Sequence, residues 1–426
     1  MKWKISPSRL SGEILIPPSK SHTIRALLIA TLADGTSTIR NALLKGDGES
    51  ALNAARCLGA RVETGAEALC ITGIGDNFEK GQEHIYTGNS GTATRLFTAA
   101  AALGSRVRTF DGDASLRSRP MQPLLEALQR LGASYTANGS SGDLPFSIHG
   151  PLTGGHTRVS GITSQFLSSL LLAAPLAQTD STIEVADLHE KPYAALTLWW
   201  LEKLGIRYVA NDAFDTFIVT GSQSYRPIDL TIPGDFSSAT FAAIAAPATG
   251  SPLRLQGLDF NDPQGDKQVF SELEKMGAQV GRDSGAIVVG PGSALSGCEI
   301  DLNNMPDALP SFAVLGCIAQ GTTHIVNVAQ ARIKETDRIA VMCTELRKMG
   351  ADIAQEQDGL LIKHSNLHGA EVNGHHDHRV VMALAVAALA AKGETTITTA
   401  EAAEVTYPGF AEDFRRLGAD ITEREE

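Results

Sequence analysis

Apolar positions along the chain fall into two recurring patterns. In the first, PPSKSHTIRALLIATLADG, TGNSGTATRLFTAAAALG, SGITSQFLSSLLLAAPLAQ, PGDFSSATFAAIAAPATG, MPDALPSFAVLGCIAQG and NGHHDHRVVMALAVAALAAKG each open on polar or small residues and run on into small apolar ones. A surface helix carries an apolar stripe on one side only, so segments apolar nearly all round predict helices buried inside a domain. In the second, helix endings such as LEALQRLG, LEKLG, LEKMG and LRKMG stop at a glycine and pass into short strand-like stretches such as ALCITG, FIVTG and AIVVG. A glycine there predicts a helix cap in the left-handed conformation, followed by strand, turn and strand.

The second pattern repeats along the whole chain as CLGARV, RLGASY, KLGIRY, KMGAQV, KMGADI and RLGADI, with glycines at Gly59, Gly132, Gly205, Gly277, Gly350 and Gly418. Successive glycines are 73, 73, 72, 73 and 68 residues apart, which predicts six copies of one α/β unit. A period of this size suggests a solenoid or a propeller, but six units this large equally suit two closed groups of three. Residues 19–231 would hold copies one to three. Residues 1–18 and 232–426 would hold copies four to six, with the leftover KWKISPSRLSGEILIPP completing the shorter final copy. The chain then crosses between domains near Pro18 and near Thr231-Ile232-Pro233, the hinge candidates.

The net charge of −12, with acids and bases interleaved, argues against a nucleic-acid partner or an anionic membrane surface. Five scattered cysteines without a C-x-x-C pair indicate neither a disulfide framework nor a zinc site. MKWKISPSRL lacks the apolar core of a signal peptide, and no long unbroken apolar run suggests a membrane span. A cytoplasmic protein acting as a monomer is expected. No nucleotide cofactor is implied, because G-x-G-x-x-G and P-loop motifs are missing. The histidines of NGHHDHRV, His375, His376 and His378, sit too close on a turn to share one ion, so no metal is expected.

Unpaired N–H groups at the starts of six buried helices would make a strong anion site. The polar residues stand where this predicts: Lys20-Ser21, Asn89-Ser90-Gly91-Thr92, Thr163-Ser164-Gln165, Asp235-Ser237-Ser238, Asp307 and Asp377-His378-Arg379. For Ser237 and Ser238 helix capping is explanation enough. Lys20 and Arg379 need more, since a cation at a helix start opposes the dipole, and Gln165 also exceeds what capping asks. Arg25, Arg95, Arg119, Lys334 and Arg338 add cations, consistent with a small polyanionic ligand gripped by guanidinium groups. The interleaved charges of RIKETDRI also fit a salt-bridged helix start.

Together PSKSHTIRALL, GNSGTATR, SRPM, TSQF, KPYAALTL, PGDFSSAT, LEKMGA, MPDA, KETDRI, DHR and TYPGF resemble the enolpyruvyl transferase family, in the family's order over the whole chain. The resemblance implies a two-domain inside-out α/β barrel, with three βαβαββ-type copies per domain around buried parallel helices and the active site in the interdomain cleft. It implies transfer of the enolpyruvyl group of phosphoenolpyruvate to the 5-hydroxyl of shikimate 3-phosphate, with release of phosphate. By matched motif, Lys20, Gly91, Arg119, Gln165, Arg338 and Arg379 would hold phosphoenolpyruvate. Ser21, Arg25, Asn89, Thr163, Ser164, Gln165, Tyr193, Asp307 and Lys334 would complete the substrate site. Asp307 and Glu335 would move protons, assisted by Lys20 and His378.

Three positions depart from the family pattern: Glu190 where a serine precedes K-P-Y, Val405 where a lysine precedes T-[FY]-P, and Gln330 where asparagine is common. The relative acting on UDP-N-acetylglucosamine is disfavoured, because Lys20 is followed by Ser21 rather than asparagine and DGDASLRSRPM has no cysteine. A transferase for another cyclic alcohol, or a non-catalytic homologue binding an anionic metabolite, are the alternatives.

Overall fold

A computed structural model describes residues 1–65, 67–138 and 142–425. The chain divides into two compact units, Met1–Pro17 with Pro233–Glu426, and Pro18–Ile232. The described residues form six four-stranded sheets built on one plan. In one copy, strand His84–Tyr86, helix Gly91–Ala101, strand Arg108–Asp111, helix Gln122–Arg130 and strands Ser134–Asn138 and Asp143–His149 follow in order. The first two strands are parallel and the last two antiparallel. Parallel neighbours need a long crossover, and the buried helix supplies it. This is the α/β unit expected from the repeat, with the βαβαββ order that the family resemblance implies.

The N-terminal segment serves two copies rather than the final one alone. Lys2–Ser6 pairs antiparallel with Thr395–Thr398 and with Asp420–Arg424, completing the sixth sheet. Gly12–Leu15 runs parallel to Leu253–Gln256 and is therefore the first strand of the fourth copy. Asp229–Thr231, at the end of the other unit, runs parallel to Thr36–Arg40 and opens the sheet of the first copy. Each unit is thus closed by a strand distant in sequence from its partner.

All six repeat glycines have positive φ, between +69° at Gly205 and +107° at Gly132. At Gly59 a Cβ would also stand 2.7 Å from the Lys80 Cβ, so conformation and space both demand glycine.

The six helices Lys20–Leu32, Gly91–Ala101, Ser164–Ala173, Phe236–Ala248, Leu309–Ile318 and His378–Ala390 are buried almost throughout, three in each unit's hydrophobic core. Four of their threonine hydroxyls are satisfied within their own helix: Thr31 donates to the Leu27 carbonyl, Thr94 to the Ser90 carbonyl, Thr98 to the Thr94 carbonyl and Thr240 to the Phe236 carbonyl. Such back-bonding lets threonine sit in a dry interior. Among the described residues no helix is long and apolar enough to cross a membrane.

Candidate active site

The helix starts concentrate the polar residues that the sequence singles out. In the unit Pro18–Ile232, Ser19, Ser90 and Thr163 cap their helices by accepting from the His22, Ala93 and Gln165 N–H groups. Lys20, Gly91 and Ser164 are therefore each the first helical residue. Lys20 lies 3.1 Å from the Asp47 carboxylate, in a largely buried pair. Asp47 begins the next helix, Asp47–Leu58, and offsets a cation that opposes the helix dipole. The sequence reading missed it; only its place in an acidic first turn hints at the role.

Two of these helices are tied together at their starts. The Gln165 carboxamide accepts from Arg95 at 2.8 Å and donates to Thr92 at 3.1 Å. Arg95 also lies over the Phe166 ring, 5.4 Å from its centroid. Arg119 donates to the Asn89 side chain and, at 3.2 Å, to the Asn89 carbonyl, while the Asn89 amide donates to Asp113 at 2.6 Å. A Cβ on Gly91 would stand 3.1 Å from Arg119 Nη1 and 3.4 Å from Arg95 Nη1. Glycine thus lets two guanidinium groups approach the helix start.

Arg25 is buried, and its guanidinium donates to Thr197 at 2.9 Å, to the Ser21 and Tyr193 carbonyls at 3.0 Å, and to Ser168 at 3.2 Å. Burial lowers its pKa to about 10. It fastens helix Lys20–Leu32 to helices Ser164–Ala173 and Lys191–Lys203, the latter carrying Tyr193 in its first turn. Glu190, just before that helix, is buried in the left-handed conformation and accepts from the Ser164 N–H at 3.3 Å and the Ser164 hydroxyl at 3.0 Å. Its carboxylate points into the start of the Ser164 helix rather than away from the site residues.

In the other unit the hub is Asp377, a fully buried N-cap. It accepts from Arg338 Nε at 2.8 Å and Nη2 at 3.2 Å, from Thr336 at 3.0 Å and from the Arg379 N–H at 2.9 Å. Arg338 also reaches Asp307 at 2.7 Å and Glu335 at 2.6 Å, and Asp307 pairs with Arg379 at 2.8 Å. Burial disfavours the charge on Arg338, but the Asp377, Glu335 and Asp307 carboxylates outweigh it and hold the pKa above the ordinary arginine value. His378 is the buried first residue of its helix, and Lys334 stands half-buried beside Glu335. Asp307 sits in a short 3-10 turn, Pro306–Ala308, leading into helix Leu309–Ile318.

Two local expectations change. Ser237 and Ser238 do not cap their helix; Asp235 does, accepting from their N–H groups at 2.9 and 3.4 Å. In RIKETDRI the salt-bridged helix start is Asp337, which accepts from the Ala340 N–H at 3.0 Å and from Arg332 at 2.6 Å, whereas Arg338 turns into the buried network.

A family profile described as EPSP synthase (3-phosphoshikimate 1-carboxyvinyltransferase) matches residues 5–414, which span both units. The chain belongs to the EPSP synthase family. The 3-phosphoshikimate 1-carboxyvinyltransferase of Acetivibrio thermocellus is 49% identical over 422 residues, covering 99% of this chain and 99% of that protein. The protein of the same name from Chlamydia felis is 41% identical over 428 residues, covering 100% of this chain and 96% of its own. The solved structure of EPSP synthase from Acinetobacter baumannii matches with a TM-score of 0.83 at 26% identity, over 99% of this chain and 100% of that one. Within this EPSP synthase fold, Glu190 is committed to Ser164, Val405 ends the 3-10 helix Ala400–Val405, and Gln330 donates to the Asn303 carbonyl at 3.0 Å.

Proposed function

We propose that the chain transfers the enolpyruvyl group of phosphoenolpyruvate to the 5-hydroxyl of shikimate 3-phosphate. The observation that carries the site assignment is the Asp307 carboxylate held between Arg338 and Arg379. A carboxylate so held has a fixed orientation, which a proton-transfer group needs.

In the addition step a proton joins C3 of phosphoenolpyruvate, the 5-hydroxyl oxygen bonds to C2, and the hydroxyl proton passes to a base. In the elimination step the C2–O bond to phosphate breaks and a proton leaves the new methyl group, restoring the CH2. Asp307 and Glu335 exchange these protons. Lys20 and His378 supply assistance at the phosphate oxygens and the developing charge.

Lys20, Gly91, Arg119, Gln165, Arg338 and Arg379 hold phosphoenolpyruvate, where charge-assisted donors stabilise phosphate as it departs. Ser21, Arg25, Asn89, Thr163, Ser164, Tyr193 and Lys334 shape the shikimate side, Arg25 by fastening three helices. The enzyme works in the cytoplasm as a monomer, with no metal or organic cofactor in these steps.

Phosphate release from phosphoenolpyruvate tests this reading in three arms: with shikimate 3-phosphate, with unphosphorylated shikimate, and with no acceptor. Turnover confined to the first arm is expected. Equal release with shikimate would point to a different cyclic alcohol, and none in any arm to a binding protein.

Glu190 gives a second test. Like charges about 4 Å apart at an effective dielectric near 20 repel by a few kcal/mol, and Glu190 already occupies the Ser164 donors. Glu190→Ser is therefore expected to tighten shikimate 3-phosphate binding at least tenfold by titration calorimetry, about 1.4 kcal/mol. Unchanged affinity would mean that the acceptor phosphate does not approach Ser164.

A further inference from the structure

Glu345 stands two turns beyond Arg338 on helix Arg338–Lys348, on the same face by the i, i+7 spacing. Its carboxylate is buried to 1% exposure and accepts from three donors: Lys348 at 2.7 Å, His375 Nε2 at 2.9 Å and the Asn373 N–H at 2.9 Å. Burial would raise this carboxyl, but His375, Lys348 and the Asn373 N–H outweigh it and hold the pKa below the ordinary glutamate value.

The segment it grips is the turn immediately before Asp377. His375 and His376 take φ values of 52° and 56°, a region that side chains other than glycine rarely adopt. Further bonds fix the turn: the His375 N–H donates to Asn373 Oδ1 at 2.7 Å, the His376 N–H to Thr399 Oγ1 at 3.2 Å, and the Gly374 N–H to the Thr398 carbonyl at 3.0 Å. Backbone of this kind persists where its surroundings over-determine it. Helix Arg338–Lys348 therefore holds the turn from both sides, through Arg338 on Asp377 and through Glu345 on Asn373 and His375.

We propose that Glu345 and His375 form a clamp that positions the turn before Asp377, and through it the aim of Arg338 and Arg379 at the substrate. Both are positioning residues. The kinetic consequences rest on the function proposed above; the clamp itself does not.

A misplacement of about 1 Å can cost about 100-fold in rate, and a loosened clamp is expected to act mainly on the group its arginines hold. Glu345→Gln and His375→Ala should each raise KM for phosphoenolpyruvate about tenfold, leaving KM for shikimate 3-phosphate within about twofold. His375→Gln should retain most of the wild-type behaviour, since its side-chain amide N–H reaches about as far as Nε2 and can donate to Glu345. Independently of turnover, hydrogen exchange of the residue 373–379 amides should be at least about tenfold faster in Glu345→Gln than in the wild type. If Glu345→Gln fails to fold, His375→Ala, altering a half-exposed side chain, carries both measurements.

An active enzyme whose KM values do not move in these variants overturns the clamp, as does unchanged exchange over residues 373–379. A wild type without turnover refutes the proposed function instead, and the exchange comparison then decides the clamp alone.

Discussion

Asp307→Asn is expected to lower kcat by about 10²–10⁴-fold, the range that a positioned proton-transfer group contributes. Its oxygens lie 2.7 Å from Arg338 and 2.8 Å from Arg379, so asparagine keeps the shape and one acceptor while removing the charge and the basic oxygen. Arg338 retains Asp377 and Glu335, so the fold is expected to persist. A proton-transfer role predicts a fall in kcat and kcat/KM together; a role in binding alone predicts a rise in KM at constant kcat. Steady-state kinetics with each substrate varied, alongside thermal unfolding, separates the two. A kcat within about threefold of wild type would remove Asp307 from the proton-transfer steps.

Arg338→Met is expected to abolish turnover and to destabilise the protein by about 3–5 kcal/mol, the cost of leaving a buried charge without its partner. The guanidinium is 1% exposed and bonded to three carboxylates, of which Asp377 is fully buried. Methionine fills much of the volume but answers none of that charge. Part of the loss should return in the double variant Arg338→Met with Asp377→Asn, because coupled charges do not contribute additively. Urea denaturation measures both; destabilisation below about 1 kcal/mol would show that the carboxylates find other compensation.

The repeat and the buried helices were legible in the sequence because both rest on local physics. A glycine with positive φ at each helix end recurs at regular intervals, and helices apolar on every side have nowhere to lie but inside. What stayed hidden depends on partners distant along the chain. Lys20 is balanced by Asp47, and Arg338 by Asp377, 39 residues away. No local pattern announces either pair. The division of the N-terminal segment between two sheets is likewise a matter of strand pairing across hundreds of residues, between Lys2 and Arg424 at one end.

The candidate site was legible as residue types at helix starts, not as geometry. Arg25 and Glu190 illustrate the gap. The sequence offers a cation and a carboxylate near a presumed anion; the structure commits the first to Thr197, Ser168 and two carbonyls and the second to Ser164. Departure from a family pattern marks where to look, but the direction of a side chain is settled by packing. Capping shows the same limit at Asp235, where the acid two residues before Ser237 takes the role that the serines' composition suggests for them.

The most direct test of the central claim is carbon NMR of the wild-type enzyme with labelled phosphoenolpyruvate and shikimate 3-phosphate. The expected result is an enol ether at the acceptor's 5-position, formed in equal amount with inorganic phosphate and absent without acceptor. Labelled pyruvate with phosphate and no ether, or no consumption of phosphoenolpyruvate at all, would contradict it.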